Sequence, residues 1–184
     1  MEIRRLAIPE VLLLTPVKRT DDRGFFSETY SQKDLADAGF VGEFVQDNHS
    51  MSAQRGVLRG LHFQRPPYAQ DKLVRCTRGA IFDVAVDIRK GSPSFGQWVG
   101  EELSGDNWRQ MLVPVGFAHG FVTLTPGAEV LYKVTSSYAP DAEGGLAWDA
   151  SDVAVEWPIA HAAIITNKRD ALWPDLATLE PMDV

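Results

Sequence analysis

The chain is short of sulfur, of long apolar runs and of glycine-rich nucleotide loops. Cys76 is the only cysteine among its 184 residues, so no intrachain disulfide can form and a cysteine-rich metal site is excluded. No apolar stretch approaches the ~20 residues that a membrane helix needs, and residues 1–6 lack the apolar centre of a signal peptide. No glycine-rich dinucleotide loop follows a predicted strand. These absences predict a protein of a reducing compartment such as the cytoplasm, with no membrane segment and no bound nicotinamide.

Positive charge is also scarce overall. The chain has 18 lysines and arginines against 25 aspartates and glutamates, a net charge of -7 at pH 7. This balance argues against a nucleic-acid surface, because such binding rests on basic patches. Between Gln54 and Arg78 the balance reverses, and Asp71 is the only acid there. The basic residues of this segment are Arg55, Arg59, Arg65, Lys72, Arg75 and Arg78. The segment is either a solvated strand surface or a cationic mouth for phosphates.

Short strands with turn signals between them dominate the chain, and its length fits one domain over residues 1–184. Over residues 80–88, apolar side chains alternate with Asp83 and Asp87, which predicts a strand with one apolar face and one face that carries an internal polar network. Further strands are predicted over residues 12–14, 25–26, 97–100, 110–114, 117–124 and 129–135. This spacing indicates an all-β sandwich or barrel.

Helical signals are few. One helix is predicted over residues 33–38, with Ser31 as its N-terminal cap and Gly39 at its end. The irregular tail after Pro158 is expected to wrap the body and to carry a second helix.

A histidine between apolar neighbours stands near two cations in the sequence. Arg59 lies just before His62, and Lys72 lies one predicted strand further on. A neutral imidazole accepts a proton near neutral pH, an ammonium stabilises an oxyanion, and a guanidinium holds a phosphate through paired hydrogen bonds. Together they indicate proton abstraction beside a carbonyl of a phosphorylated substrate. The alternative is a hydrogen-bonded structural histidine in an apolar strand.

A second cluster, residues 114–121, reads Pro-Val-Gly-Phe-Ala-His-Gly-Phe and delivers His119 from a tight turn into a strand. It resembles the second motif of cupin-type jelly rolls. The first cupin motif supplies a His-x-His pair and a glutamate to a metal, whereas Gly60 and Gln64 flank His62 here. Since a stable metal site needs three or more ligands, the sequence resembles a cupin without its metal. The implied fold is all-β, a cupin-type double-stranded β-helix jelly roll with a few short peripheral helices.

Both clusters belong to a longer series of motifs that runs from Asp22 to about Asp170. One of them is Gly-Val-Leu-Arg-Gly-Leu-His-Phe-Gln at residues 56–64. The others include residues 22–26, 44–50, 70–74, 83–89, 116–121 and 132–135. Over nearly the whole chain the sequence resembles the dTDP-4-dehydrorhamnose 3,5-epimerase family. The resemblance implies cofactor-free, metal-free epimerisation of a dTDP-4-keto-6-deoxyhexose at C3 and C5, in a homodimer with an exchanged N-terminal strand.

The resemblance also implies a role for individual residues. His62 is the proton-abstracting base and Asp170 orients it. Tyr132 is the acid on the opposite face of the sugar, and Lys72 steadies the enolate. Contacts with the substrate are implied for Arg23, Glu28, Gln46, Asp47, Asn48, Arg59, His119, Tyr138, Glu143 and Arg169.

Three of these contacts are more specific. Tyr138 is expected to stack on the thymine, and Arg23 and Glu28 are expected to reach the neighbouring subunit's site. The chain departs from the family's pattern near its end, where Asn167 takes the place of a serine shortly before Asp170.

The residues by themselves leave alternatives open. Tyr132 alternates with Val130 and Val134 and could belong to the core. Asp170 could cap a helix, and His119 could bond to the backbone of its turn. The alternative functions are an epimerase that inverts one carbon of a related nucleotide sugar, a non-catalytic sugar-nucleotide binding jelly roll, and a metal-dependent cupin oxygenase. The missing His-x-His pair disfavours the oxygenase, and the full catalytic set disfavours simple binding.

Overall fold

The computed structural model describes residues 1–184 and is built mainly from thirteen β-strands. In chain order they are β1 Glu2–Arg5, β2 Leu12–Thr15, β3 Arg19–Asp21, β4 Gly24–Phe26, β5 Gln46–Ser52, β6 Leu58–Gln64, β7 Lys72–Arg78, β8 Ala80–Asp87, β9 Trp98–Ser104, β10 Gln110–Val113, β11 Phe117–Thr123, β12 Ala128–Val134 and β13 Glu143–Gly145. One antiparallel sheet has the order β1-β2-β10-β7-β12-β5, and a second has the order β13-β6-β11-β8-β9. β3 and β4 form a separate hairpin. These sheets confirm the predicted all-β jelly roll.

The main core lies between the two sheets. Alternate residues of each strand point to this side, so side chains from β7, β10 and β12 meet those from β8, β9 and β11. Its buried members include Val74, Cys76, Met111, Val113, Val130, Ile81, Ala85, Leu103, Phe117 and Phe121. Asp83 and Asp87 are also completely buried, and the polar network predicted for their face of β8 is therefore internal.

The other face of β8 is covered by the C-terminal tail. Val84, Val86 and Ile88 pack in one cluster with Leu179 and Met182. Both faces of this strand are therefore buried, and both of its edges are paired, with β11 on one side and β9 on the other.

The tail wraps the body as expected, and the helix predicted there is present only as the three-residue 3-10 helices His161–Ala163 and Asp170–Leu172. Pro158, Pro174 and Pro181 interrupt this stretch, and proline lacks the N–H that a continuing helix requires. No helix of the structure has the length and apolar character needed to cross a bilayer.

A buried ionic cluster closes the end of β8. Arg89 contacts Asp87 with Nη2 to Oδ2 at 2.7 Å, and its Nη1 reaches Glu10 at 2.9 Å. The hydroxyls of Ser92 and Ser94 also donate to Asp87. Burial alone would raise the pKa of this carboxyl, but the hydrogen bonds from Arg89 and the two serines outweigh burial and lower it. Asp87 is thus a fully satisfied structural anion.

The only α-helix, α1, spans Gln32–Asp37, close to the predicted residues 33–38. The Ser31 hydroxyl caps it by accepting a hydrogen bond from the Asp34 N–H at 3.2 Å. Leu35 is 1% exposed and fixes the helix to the outer face of the larger sheet. Its buried partners there are Leu12, Leu14, Leu73 and Leu112.

Shortening Leu35 tests how much this contact stabilises the fold. Leu35→Ala is expected to lower the free energy of unfolding by about 2–5 kcal/mol, because it removes buried methyl groups and leaves a cavity. Urea denaturation measures the change. The matched control is Val41→Ala, at a side chain that is 95% exposed, which should change stability by less than about 0.5 kcal/mol. Equal effects of the two substitutions would show that α1 does not depend on Leu35.

Candidate active site

A cavity of about 410 Å³ lies between the two sheets, beyond the apolar core. Its lining is mostly polar, with only a few apolar side chains. The lining residues are Gln46, Asn48, Ser50, Arg59, His62, Gln70, Lys72, His119, Phe121, Tyr132, Tyr138, Glu143, Asn167, Arg169 and Asp170. All four predicted catalytic side chains therefore share this one cavity.

His62 and Asp170 form a hydrogen-bonded pair on one wall. Nε2 of His62 lies 2.8 Å from Oδ1 of Asp170, which leaves Nδ1 of the ring for a ligand. The second carboxylate oxygen accepts from the Gly60 N–H at 3.2 Å, and the Asp170 N–H donates to the Asn167 side chain at 2.7 Å. Asp170 is thus held from three directions and does not act as a simple helix cap.

The charge of Asp170 is stabilised by these partners. The carboxylate is 1% exposed, and burial by itself would raise its pKa. The hydrogen bond from His62, the attraction to the imidazole and the Gly60 N–H together outweigh burial and lower the pKa. A carboxylate in this position fixes the imidazole tautomer and stabilises the ring once it gains a proton.

Gly60 is required where β6 and β11 approach each other. Its φ of +133° lies in a region that favours glycine. A Cβ there would lie 2.6 Å from the Cα of Gly120 and 2.9 Å from the carbonyl oxygen of His119. The pairing shifts by a bulge at this point, and His62 stands directly opposite His119 in the register. The tight approach therefore sets the two imidazoles side by side.

Lys72 is the buried cation of the cavity. Its Nζ donates to the carbonyl oxygen of His62 at 3.1 Å, and the residue is 8% exposed. Burial lowers the pKa of Lys72 to about 8, although the negative charges of Asp83 and Glu143 oppose this change. Lys72 is consequently charged at neutral pH and loses its charge in mildly alkaline solution.

Tyr132 reaches the cavity from β12, in the sheet opposite His62. Part of its ring packs against the main core, so the core interpretation of this residue describes only one side of the ring. Burial raises the pKa of the phenol, and the charge of Arg59 acts in the opposite direction. The phenol therefore keeps its proton at neutral pH and is available as a donor.

Hydrogen bonds organise the rim of the cavity. Glu143 accepts from the Tyr138 hydroxyl at 3.0 Å and from Nη1 of Arg169 at 2.7 Å. Gln46 accepts from the Tyr138 N–H at 3.2 Å and donates to Asn48 at 2.8 Å. These five residues come from three separate segments, which the hydrogen bonds hold together.

Several predicted contacts lie elsewhere in this chain. Asp47 points to the opposite face of β5 and pairs with Lys133 at 2.9 Å. Arg23 pairs with Asp21 at 2.6 Å on the exposed β3–β4 hairpin, and Glu28 lies beside that hairpin. Of the six lysines and arginines in the basic segment, only Arg59 and Lys72 line the cavity. The segment as a whole is therefore not a cationic mouth, because Arg55, Arg65, Arg75 and Arg78 point away from it.

His119 bonds to a buried carboxylate and not to the backbone of its turn. Its Nε2 lies 2.8 Å from Oδ1 of Asp83. With this second pair in place, both histidines of the cavity are engaged by aspartates. No group of three or more His, Cys, Asp or Glu side chains is arranged to hold a metal ion.

Four lining residues were absent from the predicted contacts: Ser50, Gln70, Phe121 and Asn167. Alternation along a strand would have identified two of them, since Ser50 follows Asn48 by two residues and Phe121 follows His119 by two. Gln70 and Asn167 lie outside the strands, so no such periodicity applies to them.

Comparisons with known proteins show the family to which the chain belongs. The profile of the dTDP-4-dehydrorhamnose 3,5-epimerase family matches residues 5–178. The dTDP-4-dehydrorhamnose 3,5-epimerase of Pseudomonas aeruginosa is 54% identical over 169 residues, which cover 91% of this chain and 92% of the relative.

Solved structures show the same fold. The enzyme of that name from Bacillus anthracis, crystallised with TDP and PPi, superposes with a TM-score of 0.90 at 46% identity, over 95% of this chain and 98% of the other. dTDP-6-deoxy-D-glucose-3,5-epimerase from Legionella pneumophila, in complex with dTDP-4-keto-L-rhamnose, superposes with a TM-score of 0.94 at 41% identity, over 100% and 98% of the two chains. The chain therefore belongs to the dTDP-4-dehydrorhamnose 3,5-epimerase family.

Proposed function

We propose that this protein is an isomerase that inverts C3 and C5 of dTDP-4-dehydro-6-deoxy-D-glucose to give dTDP-4-dehydro-L-rhamnose. The family relationship supports this reaction, and so does the Legionella relative that was crystallised with dTDP-4-keto-L-rhamnose. The carbons to be inverted both lie beside the C4 ketone. Their protons are therefore acidic enough to remove, because the resulting carbanion is an enolate.

One observation carries the proposal: an imidazole and a phenol enter one cavity from opposing sheets. His62 lies on β6 and Tyr132 on β12. Inversion of a carbon requires a base on one face of the sugar ring and an acid on the other. A hexose ring bound between the sheets meets this requirement without moving any side chain across the cavity.

Removal of the proton is assigned to His62. Its Nε2 is bonded to Asp170, so Nδ1 is the nitrogen that accepts the proton from carbon. The carboxylate then faces an imidazolium and stabilises it. Tyr132 supplies a proton to the opposite face of the enolate. Exchange with solvent then removes the proton from the His62 imidazolium and returns one to the Tyr132 phenolate, so the same step can be repeated at the second carbon.

The enolate oxygen is assigned to Lys72. A buried ammonium is effective here because the surrounding protein screens its charge weakly. By analogy with a single oxyanion donor, its contribution is about 3 kcal/mol of transition-state stabilisation. The reaction needs neither a metal nor a nicotinamide in this scheme, since enolate formation and reprotonation involve no net redox change.

The nucleotide end of the substrate is assigned to the rim of the cavity. Arg59 and Arg169 provide the cationic groups suited to a diphosphate, and the exposed ring of Tyr138 provides a stacking surface for the base. Gln46 and Asn48 offer amide groups at the same rim. The side chain of Asp47 pairs with Lys133 and points away from the cavity. Asp47 therefore borders the nucleotide site only as the residue between Gln46 and Asn48.

A homodimer with an exchanged N-terminal segment completes the proposal. Phe25 and Phe26 are 54% and 71% exposed on their hairpin, and β5 is an unpaired edge of the larger sheet. Pairing this segment with a partner's edge covers both features. It also accounts for Arg23 and Glu28, which have no role in the cavity of their own chain. A cytoplasmic location stays a prediction that rests on the lone thiol.

An epimerase that inverts only one carbon is the alternative. The sequence identity with relatives named 3,5-epimerases favours double inversion. Proton NMR of the dTDP-4-keto-6-deoxyglucose substrate in D2O decides between them. Deuterium at both C3 and C5 supports the proposal, and deuterium at one carbon supports the alternative.

His62→Asn tests the base. The variant is expected to lose proton exchange at both carbons by several orders of magnitude, roughly 10³-fold or more, because every carbanion requires this acceptor. Affinity for dTDP should change little, since the rim contacts remain. Exchange is followed by NMR in D2O, and calorimetry with dTDP is the control. A comparable rate of deuterium incorporation would exclude His62 as the base.

Tyr132→Phe separates the two halves of inversion. The enolate still forms at His62, but phenylalanine has no proton to give to the opposite face. The imidazolium then returns a solvent-derived proton to the original face, so deuterium enters the substrate faster than inverted product appears. NMR gives the ratio of deuterium incorporation to epimerised sugar for the variant and the wild type. An unchanged ratio with near-normal turnover would assign the acid to another group.

Subunit complementation tests the shared site. Arg23→Ala and His62→Asn homodimers are each expected to be nearly inactive. If Arg23 acts in the partner's site, co-refolded mixtures contain heterodimers with one intact site, and about a quarter of wild-type activity returns. If Arg23 acts in its own chain, every site carries a defect and no activity returns. Refolding each variant alone is the control.

A further inference from the structure

Asp83 is a buried carboxylate that the proton transfer described above does not use. It lies on β8 next to β11, and its exposure is 0%. Oδ1 is engaged by Nε2 of His119 at 2.8 Å, whereas Oδ2 is buried without any hydrogen-bond partner. Buried carboxylates are normally satisfied at both oxygens, so this one requires an explanation.

The neighbouring strand position shows what full satisfaction looks like. Asp87 is equally buried on the same face of β8. Its two oxygens accept hydrogen bonds from Arg89, Ser92 and Ser94. The fold is therefore able to neutralise an aspartate on this strand, and it does not do so at Asp83.

The charge of Asp83 acts on two cavity residues. The hydrogen bond to His119 fixes the ring of that residue, whose other nitrogen remains free for the substrate side. Lys72 is the second residue, because the negative charge of Asp83 favours its ammonium form. Both residues line the cavity, and His119 stands directly opposite His62 in the register.

We propose that Asp83 is a positioning residue of the epimerisation, which holds His119 in one orientation and keeps Lys72 positively charged for the enolate. Asp83 lacks the arginine partner that Asp87 has in Arg89, and His119 is the only basic side chain in contact with it. Its negative charge therefore stays effective at Lys72. The inference rests on the proposed function, since it assigns Asp83 to the enolate step of that reaction.

The effect of removing the charge has a defined sign. Burial lowers the pKa of Lys72 to about 8, and the negative charges of Asp83 and Glu143 act in the opposite direction and raise this pKa. Without the charge of Asp83, the pKa of Lys72 falls further. A smaller fraction of the enzyme then carries the ammonium near pH 8, whereas at pH 6 Lys72 remains charged in either case.

Other titratable groups also face Lys72, and among them only His119 contacts Asp83. Besides Asp83 on β8, the titratable and charged groups that line its cavity come from β6, β11, β12, β13 and the adjoining loops. They are Arg59, His62, His119, Tyr132, Tyr138, Glu143, Arg169 and Asp170.

Asp83→Asn is the direct test, because asparagine keeps the size and one acceptor oxygen for His119 and removes only the charge. We expect kcat to fall roughly twofold to fivefold at pH 8, as the shift of the titration midpoint implies, with KM nearly unchanged. The alkaline limb of the pH–rate profile should move down by roughly 0.5–1 pH unit, so activity approaches that of the wild type at pH 6. Asp83→Glu, which retains the charge, should leave the limb in place.

Asp87→Asn is the matched control. It removes a buried charge from the same strand, away from the cavity. It should lower the melting temperature without moving the alkaline limb. If Asp83→Asn folds poorly, Asp83→Ser carries the same prediction, because serine is neutral and leaves room for a water molecule.

A titration of lysine side chains by carbon-13 NMR, assigned with Lys72→Arg, measures the ammonium of Lys72 without turnover. A lower titration midpoint in Asp83→Asn than in the wild type supports the proposal. An unmoved midpoint and alkaline limb overturn it, whatever the loss of activity. A wild type that exchanges no C3 or C5 proton overturns the proposed function instead, and the NMR titration still reports on Asp83 and Lys72.

Discussion

The candidate active site depends on one constraint: the ammonium of Lys72 must stay charged although the protein buries it. The pKa of Lys72 is about 8 instead of 10.5, which corresponds to roughly 3 kcal/mol of folding free energy lost at neutral pH. This destabilisation is complete below about pH 8 and disappears as the pH rises towards 10.5, since the unfolded chain then also loses the proton. The surrounding carboxylates limit it, and the rest of the fold must compensate for what remains.

The two sheets divide their shared interior between the apolar core and the polar cavity. Two central strands, β7 and β12, each contribute an apolar side chain to the core and a polar one to the cavity. On β7 these are Val74 and Lys72, and on β12 they are Val130 and Tyr132. Because core and cavity share the same backbone, the hydrogen bonds and packing that stabilise one also fix the geometry of the other. Three of the four side chains proposed for catalysis therefore stand on strands, and only Asp170 is supplied by the tail.

Much of this arrangement follows from local patterns, and the remainder depends on contacts between distant residues. Alternation along β8 and the Ser31 cap predicted a strand and a helix within one or two residues, because both signals act over a few positions. No local signal pairs His119 with Asp83, since the two meet only when β8 and β11 align. The cationic mouth predicted for the basic segment was wrong for the same reason. Basic residues that are close in sequence alternate between the two faces of a strand, and only Arg59 and Lys72 point into the cavity.

The close approach at Gly60 limits how the two walls of the cavity can be altered. A Cβ there would lie 2.6 Å from the Cα of Gly120, so a larger side chain fits only if β11 moves. β11 carries His119 on the same stretch of backbone, and β6 carries His62 two residues after Gly60. A substitution at this crossing would therefore displace both histidines together, and the spacing of the two imidazoles cannot be adjusted by exchanging Gly60 alone.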